Sequence, residues 1–220
     1  AGRSAEMAYQ VLKIAKEQKL DIEKALFANN AYVAGNATTA RELAGLGAYI
    51  TTNTSNVGSG GAEPTGSVPG ATARTNGTQT AFTQADFDST MQDIWVAGGK
   101  ASSVYLSAFQ MNVALGFEGN NNQRSTIGAS VGGTSNGVVK AMDVYVTPWG
   151  SVTFTPSREN QSRDVWILQD DMFAVAVLRP TKNTELAKTG DNTTRQVLTE
   201  LTLVSKNEAA SGLVADCSTS

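Results

Sequence analysis

The sequence has no histidine and a single cysteine, Cys217, among its 220 residues. Without imidazole, the chain cannot build a Ser-His-Asp or Cys-His nucleophile, a histidine acid or base, or a histidine metal ligand. One cysteine excludes an intrachain disulfide and a cysteine-based zinc site. Because Cys217 lies close to the end of the sequence, we expect an inert thiol in a mobile tail. Carboxylate and lysine chemistry is what these absences leave.

Paired acids are also scarce. Asp170 and Asp171 form the one adjacent pair, and they precede a strand-like run that begins at Phe173, where acidic residues commonly end a loop. We expect a solvated turn there and not a paired-carboxylate site. The glycine-rich residues 58–61 lack the Lys-Ser or Lys-Thr of a phosphate-binding loop. The sequence therefore predicts no catalytic residue, no cofactor-binding residue and no metal ligand, and we expect that the protein is not an enzyme.

A basic field and a long apolar run are absent as well. The 17 basic and 20 acidic residues give a formal net charge of −3, which does not attract a phosphate backbone. The longest apolar run, residues 172–178, is far shorter than the roughly 20 residues of a membrane-spanning helix. The first residues do not form a signal peptide. We expect a protein that is made in the cytosol, has no membrane partner and makes no sequence-specific contact with DNA.

A long helix is predicted at the start of the chain. Residues 5–28 contain neither proline nor glycine, and they carry an apolar stripe at helical spacing. The stripe consists of Met7, Val11, Ile14, Ile22 and Leu26. At 1.5 Å per residue this helix would be about 36 Å long. It either extends along a neighbouring element or subunit, or it is an ordinary core helix with a frayed end. The apolar residues within 41–50 indicate no definite secondary structure.

The next segment, residues 51–80, is rich in glycine, proline, serine and threonine. It has little apolar surface to bury, so we expect a flexible or extended loop that joins two structured parts. A helix is predicted to follow, with Thr83 and Asp86 as a capping box and Phe82 and Phe87 as a hydrophobic staple. Its expected buried face consists of Phe87, Met91, Ile94 and Trp95, and Gly98-Gly99 ends it.

The remaining sequence predicts an α+β domain. A short strand at 104–106 precedes a helix at 107–117, whose Phe109, Val113 and Phe117 repeat every four residues, and a polar loop covers 118–137. The last third predicts an antiparallel sheet. It begins with a hairpin of 144–147 and 152–155 about Pro148-Trp149-Gly150, and three more strands follow at 164–168, 173–178 and 195–205.

Four segments of the sequence resemble the major capsid proteins of tailed bacteriophages. They are RSAEMAYQ, ARELAGLGAYI, MDVYVTPWGSVTFTPSRENQSRDVWILQDDMFAVAVLRP and ELAKTGDNTTRQVLTELTLVSKNEAASG, and the resemblance runs from about residue 3 to residue 214. It implies the phage coat-protein fold, shared with encapsulins, with a long spine helix, a peripheral β domain and an axial α/β domain. Residues 1–50 would then be the spine helix and part of the peripheral domain, and 51–80 the flexible loop. Residues 81–140 would be mainly axial, and 141–220 would supply axial strands that return to the peripheral domain.

The resemblance also implies a function. The protein would be a structural subunit that self-assembles as pentamers and hexamers into an icosahedral shell around the phage genome. Its place would be the virion, after assembly in the host bacterial cytoplasm, with scaffold, portal and decoration proteins as further partners and no cofactor. Two alternatives stay open, an encapsulin-type compartment and a β-rich surface or adhesin module. An unrecognised carboxylate hydrolase is more remote.

Coat proteins of this family place an N-terminal arm and a long extended loop ahead of the spine helix. Here the predicted helix begins almost at the first residue, which is not methionine. We therefore expect a processed, truncated or incomplete subunit that folds by itself. It should stay a monomer or small oligomer and form closed shells once the upstream segment is restored.

Overall fold

The described part of the chain, residues 6–117 and 144–219, forms a six-stranded sheet, a two-stranded ribbon and three α-helices in a computed structural model. The helices are α1 (Glu6–Leu26), α2 (Gln84–Val96) and α3 (Ala108–Ala114). The strands are β1 (Thr54–Asn56), β2 (Ser103–Leu106), β3 (Val144–Thr147), β4 (Gly150–Pro156), β5 (Val165–Leu168), β6 (Phe173–Glu185), β7 (Arg195–Ser205) and β8 (Gly212–Ala215). The α+β prediction is confirmed. The predicted polar loop at 118–137 lies outside the described residues.

The six-stranded sheet is mixed, with the order β1-β8-β5-β2-β4-β3. The predicted hairpin forms as β3 and β4, and Gly150 has a positive φ of 146° directly after the Pro148-Trp149 turn. The strands of the last third pair antiparallel with one another, as predicted, in β3–β4, β5–β8 and β6–β7, whereas β4 and β8 also pair in parallel with the earlier strands β2 and β1. The predicted strands at 173–178 and 195–205 leave this sheet and form the β6–β7 ribbon. Local alternation identifies strands, but it does not choose their partners.

The sheet is covered on both faces in its middle. Every residue of β5 and β8 is buried, as expected for central strands that are apolar throughout. One face packs against α2 and the aromatic rings of Phe82, Phe87, Phe117, Tyr145 and Phe154. The other face carries Trp166 and Leu213 and packs against Leu46, Ile50 and Leu203. The segment 41–50, whose structure the sequence did not define, thus covers this second face with a 3₁₀ turn at Leu46–Ala48.

Helix α2 begins and ends where the sequence predicts, but its buried face differs by one position. Phe87, Met91 and Ile94 are buried as expected, whereas Trp95 is 58% exposed and the prediction for it is wrong. Thr90 is buried instead, and its hydroxyl donates to the Asp86 carbonyl at 2.9 Å. This bond removes most of the cost of burying a hydroxyl. Trp95 is therefore free to lie on the solvent side of the helix.

The capping box of α2 is confirmed. The Thr83 hydroxyl accepts from the Asp86 amide at 3.3 Å, and the Asp86 carboxylate accepts from the Thr83 amide at 3.1 Å. We expect Thr83→Ala to lower the free energy of unfolding by about 1 kcal/mol, because the Asp86 amide loses the side-chain oxygen that accepts its hydrogen bond. Urea denaturation measures this. The control is Ser89→Ala on the exposed side of the same helix, which should change stability by less than about 0.5 kcal/mol. Equal losses in both variants would contradict the capping role.

Helix α3 forms within the predicted range, and of its four-residue repeat Val113 and Phe117 pack against the core, whereas Phe109 does not. It runs Ala108–Ala114 with Ser107 as N-cap, and it buries Gln110 and Ala114, whereas Phe109 is exposed. The Gln110 amide nitrogen donates to the carbonyls of Ser162 and Ser218 at 3.2 and 2.7 Å. A long-range polar contact of this kind selects the face, and the four-residue repeat of large apolar residues does not reveal it.

The end of the chain is packed against the sheet. Cys217 is fully buried, its amide donates to the Arg163 carbonyl at 2.8 Å, and it forms a parallel bridge with Thr80. The prediction of a mobile tail is therefore wrong. Burial raises the pKa of the Cys217 thiol, which keeps it protonated.

Candidate functional site

Helix α1 has no buried residue along its whole length. Leu26, near its C-terminal end, packs against the second core cluster together with Phe27. Large apolar side chains that precede Leu26 on the helix remain exposed, namely Met7, Leu12, Ile14 and Leu20. Apolar surface gains about 25 cal/mol for each Å² removed from water. A helix of this length that exposes both polar and apolar residues thus offers a surface for other chains.

The β6–β7 ribbon is the second exposed surface. Both strands are longer than a typical strand, and nearly all of β6 beyond Ala174 is solvent-exposed. The exposed apolar side chains on the ribbon are Val175, Val177, Leu178, Leu198 and Val204. A two-stranded ribbon is marginally stable in water on its own. Here its base is tied to the domain by Leu203 and by the Tyr49 hydroxyl, which donates to the Leu203 carbonyl at 3.1 Å.

An open groove of about 880 Å³ lies between the ribbon and the segment that follows α1. Its apolar lining includes Tyr32, Leu43, Val177, Leu178 and Leu201. Arg41, Glu42 and Glu200 supply charge at the same groove. The groove joins the exposed ribbon to the rest of the domain, and its mixed lining is typical of a surface that contacts protein.

The paired acids lie in a turn on the surface. Asp170 and Asp171 lie in an exposed 3₁₀ turn, as predicted, and the Ser103 hydroxyl donates to the Asp170 carboxylate at 2.6 Å. Across residues 6–117 and 144–219, no group of three or more acidic or cysteine side chains is arranged to hold a metal ion. Within the same residues, no helix is long and apolar enough to cross a membrane.

The structure contains a buried cluster of charged side chains at the start of β5 and the end of β8, which the sequence did not predict. It consists of Arg74, Arg163, Asp164 and Asp216, and we refer to these four residues as the charge cluster. The Arg74 side chain is 1% exposed, and it lies 2.6 Å from Asp216 and 3.6 Å from Asp164. Arg163 forms an ion pair with the other carboxylate oxygen of Asp216. No sequence spacing relates residues 74, 163 and 216, so the cluster depends entirely on the fold.

The pKa values of Asp164, which belongs to the cluster, and of the neighbouring Glu63 are shifted in opposite directions. Burial raises the pKa of Asp164 to about 6, although Arg74 and Arg163 oppose the shift. Burial also acts to raise the pKa of Glu63, but hydrogen bonds from Thr54 and Asn56 and the charge of Arg74 outweigh it, and the pKa is lowered. Asp164 is therefore the carboxyl group of this region that changes charge near neutral pH.

These features define a class of protein. The described residues expose a long helix and a long two-stranded ribbon, and both carry large apolar side chains. The charge cluster, in contrast, is largely buried. Such a chain is a structural subunit that covers its exposed faces with other chains.

The family model of the SU10 major capsid protein matches residues 1–218, and the chain belongs to this family. It is a structural capsid protein of the virion, and the resemblance found in the sequence is confirmed. Nothing in this match favours the encapsulin or the adhesin alternative. No curated protein matches the chain.

Proposed function

We propose that this chain forms the shell of an icosahedral phage head, as pentamers and hexamers, and that the shell encloses the genome without sequence-specific contact. The observation that carries the proposal is the absence of any buried residue in α1. Such a helix gains little from its own domain, so its stability depends on neighbouring subunits. The formal net charge of −3 supports a lining that does not bind DNA strongly.

Within this proposal each region has a role in the shell. Helix α1 is the spine helix, and the β6–β7 ribbon is the core of the peripheral domain. The six-stranded sheet with α2 and α3 forms the axial domain, and the chain enters it from the peripheral part through residues 51–80, which include β1. Assembly takes place in the host bacterial cytoplasm, and scaffold, portal and decoration proteins are the expected partners. The missing histidine and the exposed, unclustered Asp170 and Asp171 support a protein without catalytic turnover.

Electron microscopy of the purified protein tests the proposal. The protein is prepared as the 220-residue chain and also with any coding sequence that precedes it. We expect closed shells of uniform diameter from at least one of the two versions, because the exposed helix and ribbon need neighbours on several sides. Monodisperse monomers from both versions, with affinity for a glycan or a cell surface, would instead support the adhesin alternative.

A further inference from the structure

The charge cluster joins regions that are far apart in the sequence. Arg74 comes from the segment 57–80, Arg163 and Asp164 come directly before β5, and Asp216 directly follows β8. Asn29, just beyond the end of α1, binds the same segment, because its side chain accepts from the Arg74 amide at 3.0 Å and donates to the Arg74 carbonyl at 2.9 Å. The cluster therefore lies where the helix, the segment and two sheet strands meet.

The two carboxylates of the cluster are held very differently. Asp216 accepts from Arg74 at 2.6 Å, from the Gly77 amide at 3.0 Å and from Arg163. Asp164 has weaker support: the backbone amide of Asp216 acts to lower its pKa, no side chain of the described residues donates a hydrogen bond to it, and Arg74 lies 3.6 Å away. A fully buried carboxylate without such bonds is costly to ionise. Asp216 is thus held by three donors, whereas burial disfavours the charged form of Asp164.

Opening of the segment would expose Asp164. The Arg163 guanidinium donates to the Gly77 carbonyl at 2.7 Å, and the Thr80 amide donates to the Asp216 carbonyl at 2.9 Å. A Cβ atom at Gly61 or Gly77 would lie only 2.5 or 3.0 Å from an Asp216 carboxylate oxygen, so the segment packs directly on the cluster. The segment also supplies Arg74, the cation nearest Asp164, so its departure would open the side of Asp164 that Arg74 occupies.

We propose that the charge cluster is a proton-sensitive clamp on residues 57–80, which closes more firmly when Asp164 takes up a proton from solvent and loosens when Asp164 releases it. The proton adds to a carboxylate oxygen, and no other bond forms or breaks. All these residues belong to one chain, so the clamp does not depend on the role of the protein in a shell.

The direction of the effect follows from the pKa of Asp164 in the closed and open forms. In the closed form the pKa is raised to about 6, and in an open, solvated form it returns towards its ordinary value of 3.8. The closed form therefore binds the proton more tightly. The contribution to closure is complete below pH 3.8 and is lost as the pH rises through about 6.

The charged neighbours of Asp164 are consistent with this direction. Arg74 and Arg163 lower its pKa and Asp216 raises it, but burial has the largest effect. The thiol of Cys217 also lies close, and burial keeps it neutral. The positive charge of Arg74 also lowers the pKa of Glu63, so the Glu63 carboxylate stays ionised across this pH range.

Amide hydrogen exchange of the full 220-residue chain between pH 4.5 and 7.5 tests the clamp. The reporters are the segment amides that donate hydrogen bonds to residues outside the segment, namely those of Val57, Gly77 and Thr80. After correction for intrinsic exchange rates, we expect their protection to fall by about 25-fold between these pH values, which lie above the open-form pKa and span the closed-form pKa of Asp164. In Asp164→Asn, protection of these amides should not follow this pH dependence. Asp171→Asn, which removes an exposed carboxylate outside the cluster, should behave like wild type.

Parallel pH profiles in wild type and Asp164→Asn would overturn the clamp. A ¹³C-carboxyl titration of the wild-type chain decides the matter even where Asp164→Asn does not fold. A midpoint for Asp164 near 6 supports the clamp. A midpoint at the ordinary value of 3.8, or protection in the wild type that is constant with pH, would overturn it.

Discussion

Replacing Arg74 with alanine is expected to lower the free energy of unfolding at pH 7.5 by about 3–5 kcal/mol, because it leaves the buried Asp164 without its ion-pair partner and Asp216 with Arg163 alone. The Arg74 side chain is almost fully buried, and it contacts Asp216, Asp164 and the side-chain oxygens of Asn56 and Asn76. Removing one ion from a buried group of paired charges lowers stability by more than the whole group contributes to it, because the remaining charge stays buried away from water. Urea denaturation followed by circular dichroism measures the loss.

The matched control is Arg195→Ala. Arg195 forms an ion pair with Glu185 at 3.4 Å on the ribbon, where both side chains are well exposed. Exposed pairs contribute at most about 1 kcal/mol. A loss for Arg74→Ala no larger than that of the control would show that the charge cluster does not hold residues 57–80 on the sheet.

The same variant has a pH dependence that connects it to the clamp. At pH 5, below the Asp164 pKa of about 6, this carboxyl group is largely neutral in the folded chain. Fewer uncompensated charges then remain after Arg74 is removed, so the stability loss should be smaller at pH 5 than at pH 7.5. An equal loss at both pH values would locate the entire effect at Asp216.

The sequence predicted well those elements whose signals are local. The capping box of Thr83 and Asp86 needs two residues three positions apart, and the β3–β4 hairpin needs one turn between alternating strands. Both were found because neighbouring residues specify them. The alternating runs at 173–178 and 195–205 likewise mark real strands, although β6 continues to Glu185.

Errors arose where distant residues decide the outcome. Trp95 and Phe109 have the spacing of buried residues, yet both are exposed. Thr90 is buried instead beside Gly212 of β8, and Gln110 is held by the carbonyls of Ser162 and Ser218. Cys217 was expected in a mobile tail, and it is held by bridges to Thr80 and Arg163. The charge cluster was missed for the same reason, because four scattered charged residues become neighbours only after the sheet has formed.

The flexibility of residues 51–80 stays a prediction, but the structure shows how the segment is attached. Strand β1 pairs with β8, and Arg74 holds the middle of the segment on Asp216. A sequence rich in glycine and serine does not reveal such attachment, because one buried arginine is enough to provide it. We therefore infer that motion of this segment depends on the charge cluster as well as on its composition.

Leu178→Asp is expected to prevent or strongly weaken assembly while the subunit remains folded. The Leu178 side chain is 72% exposed on β6 and lines the groove beside the ribbon. A surface substitution of this kind changes the stability of the isolated subunit by about 0.5 kcal/mol or less. In a shell in which the ribbon contacts a neighbour, the same change buries an unpaired carboxylate at every copy of the interface. We expect at least a tenfold higher protein concentration for assembly, which corresponds to about 1.4 kcal/mol per contact.

Asn183→Asp is the matched control, because it adds the same charge on the same strand at an exposed position that is already polar. Light scattering and electron microscopy of the assembling protein measure particle formation, and thermal unfolding of the dispersed subunits checks that both variants fold. We expect Asn183→Asp to assemble like wild type and Leu178→Asp to assemble poorly or not at all. Should Leu178→Asp form normal shells at wild-type concentration, this part of the ribbon faces solvent in the particle, and the subunits must be held by other surfaces, of which the exposed side of α1 is the first to test in the same way.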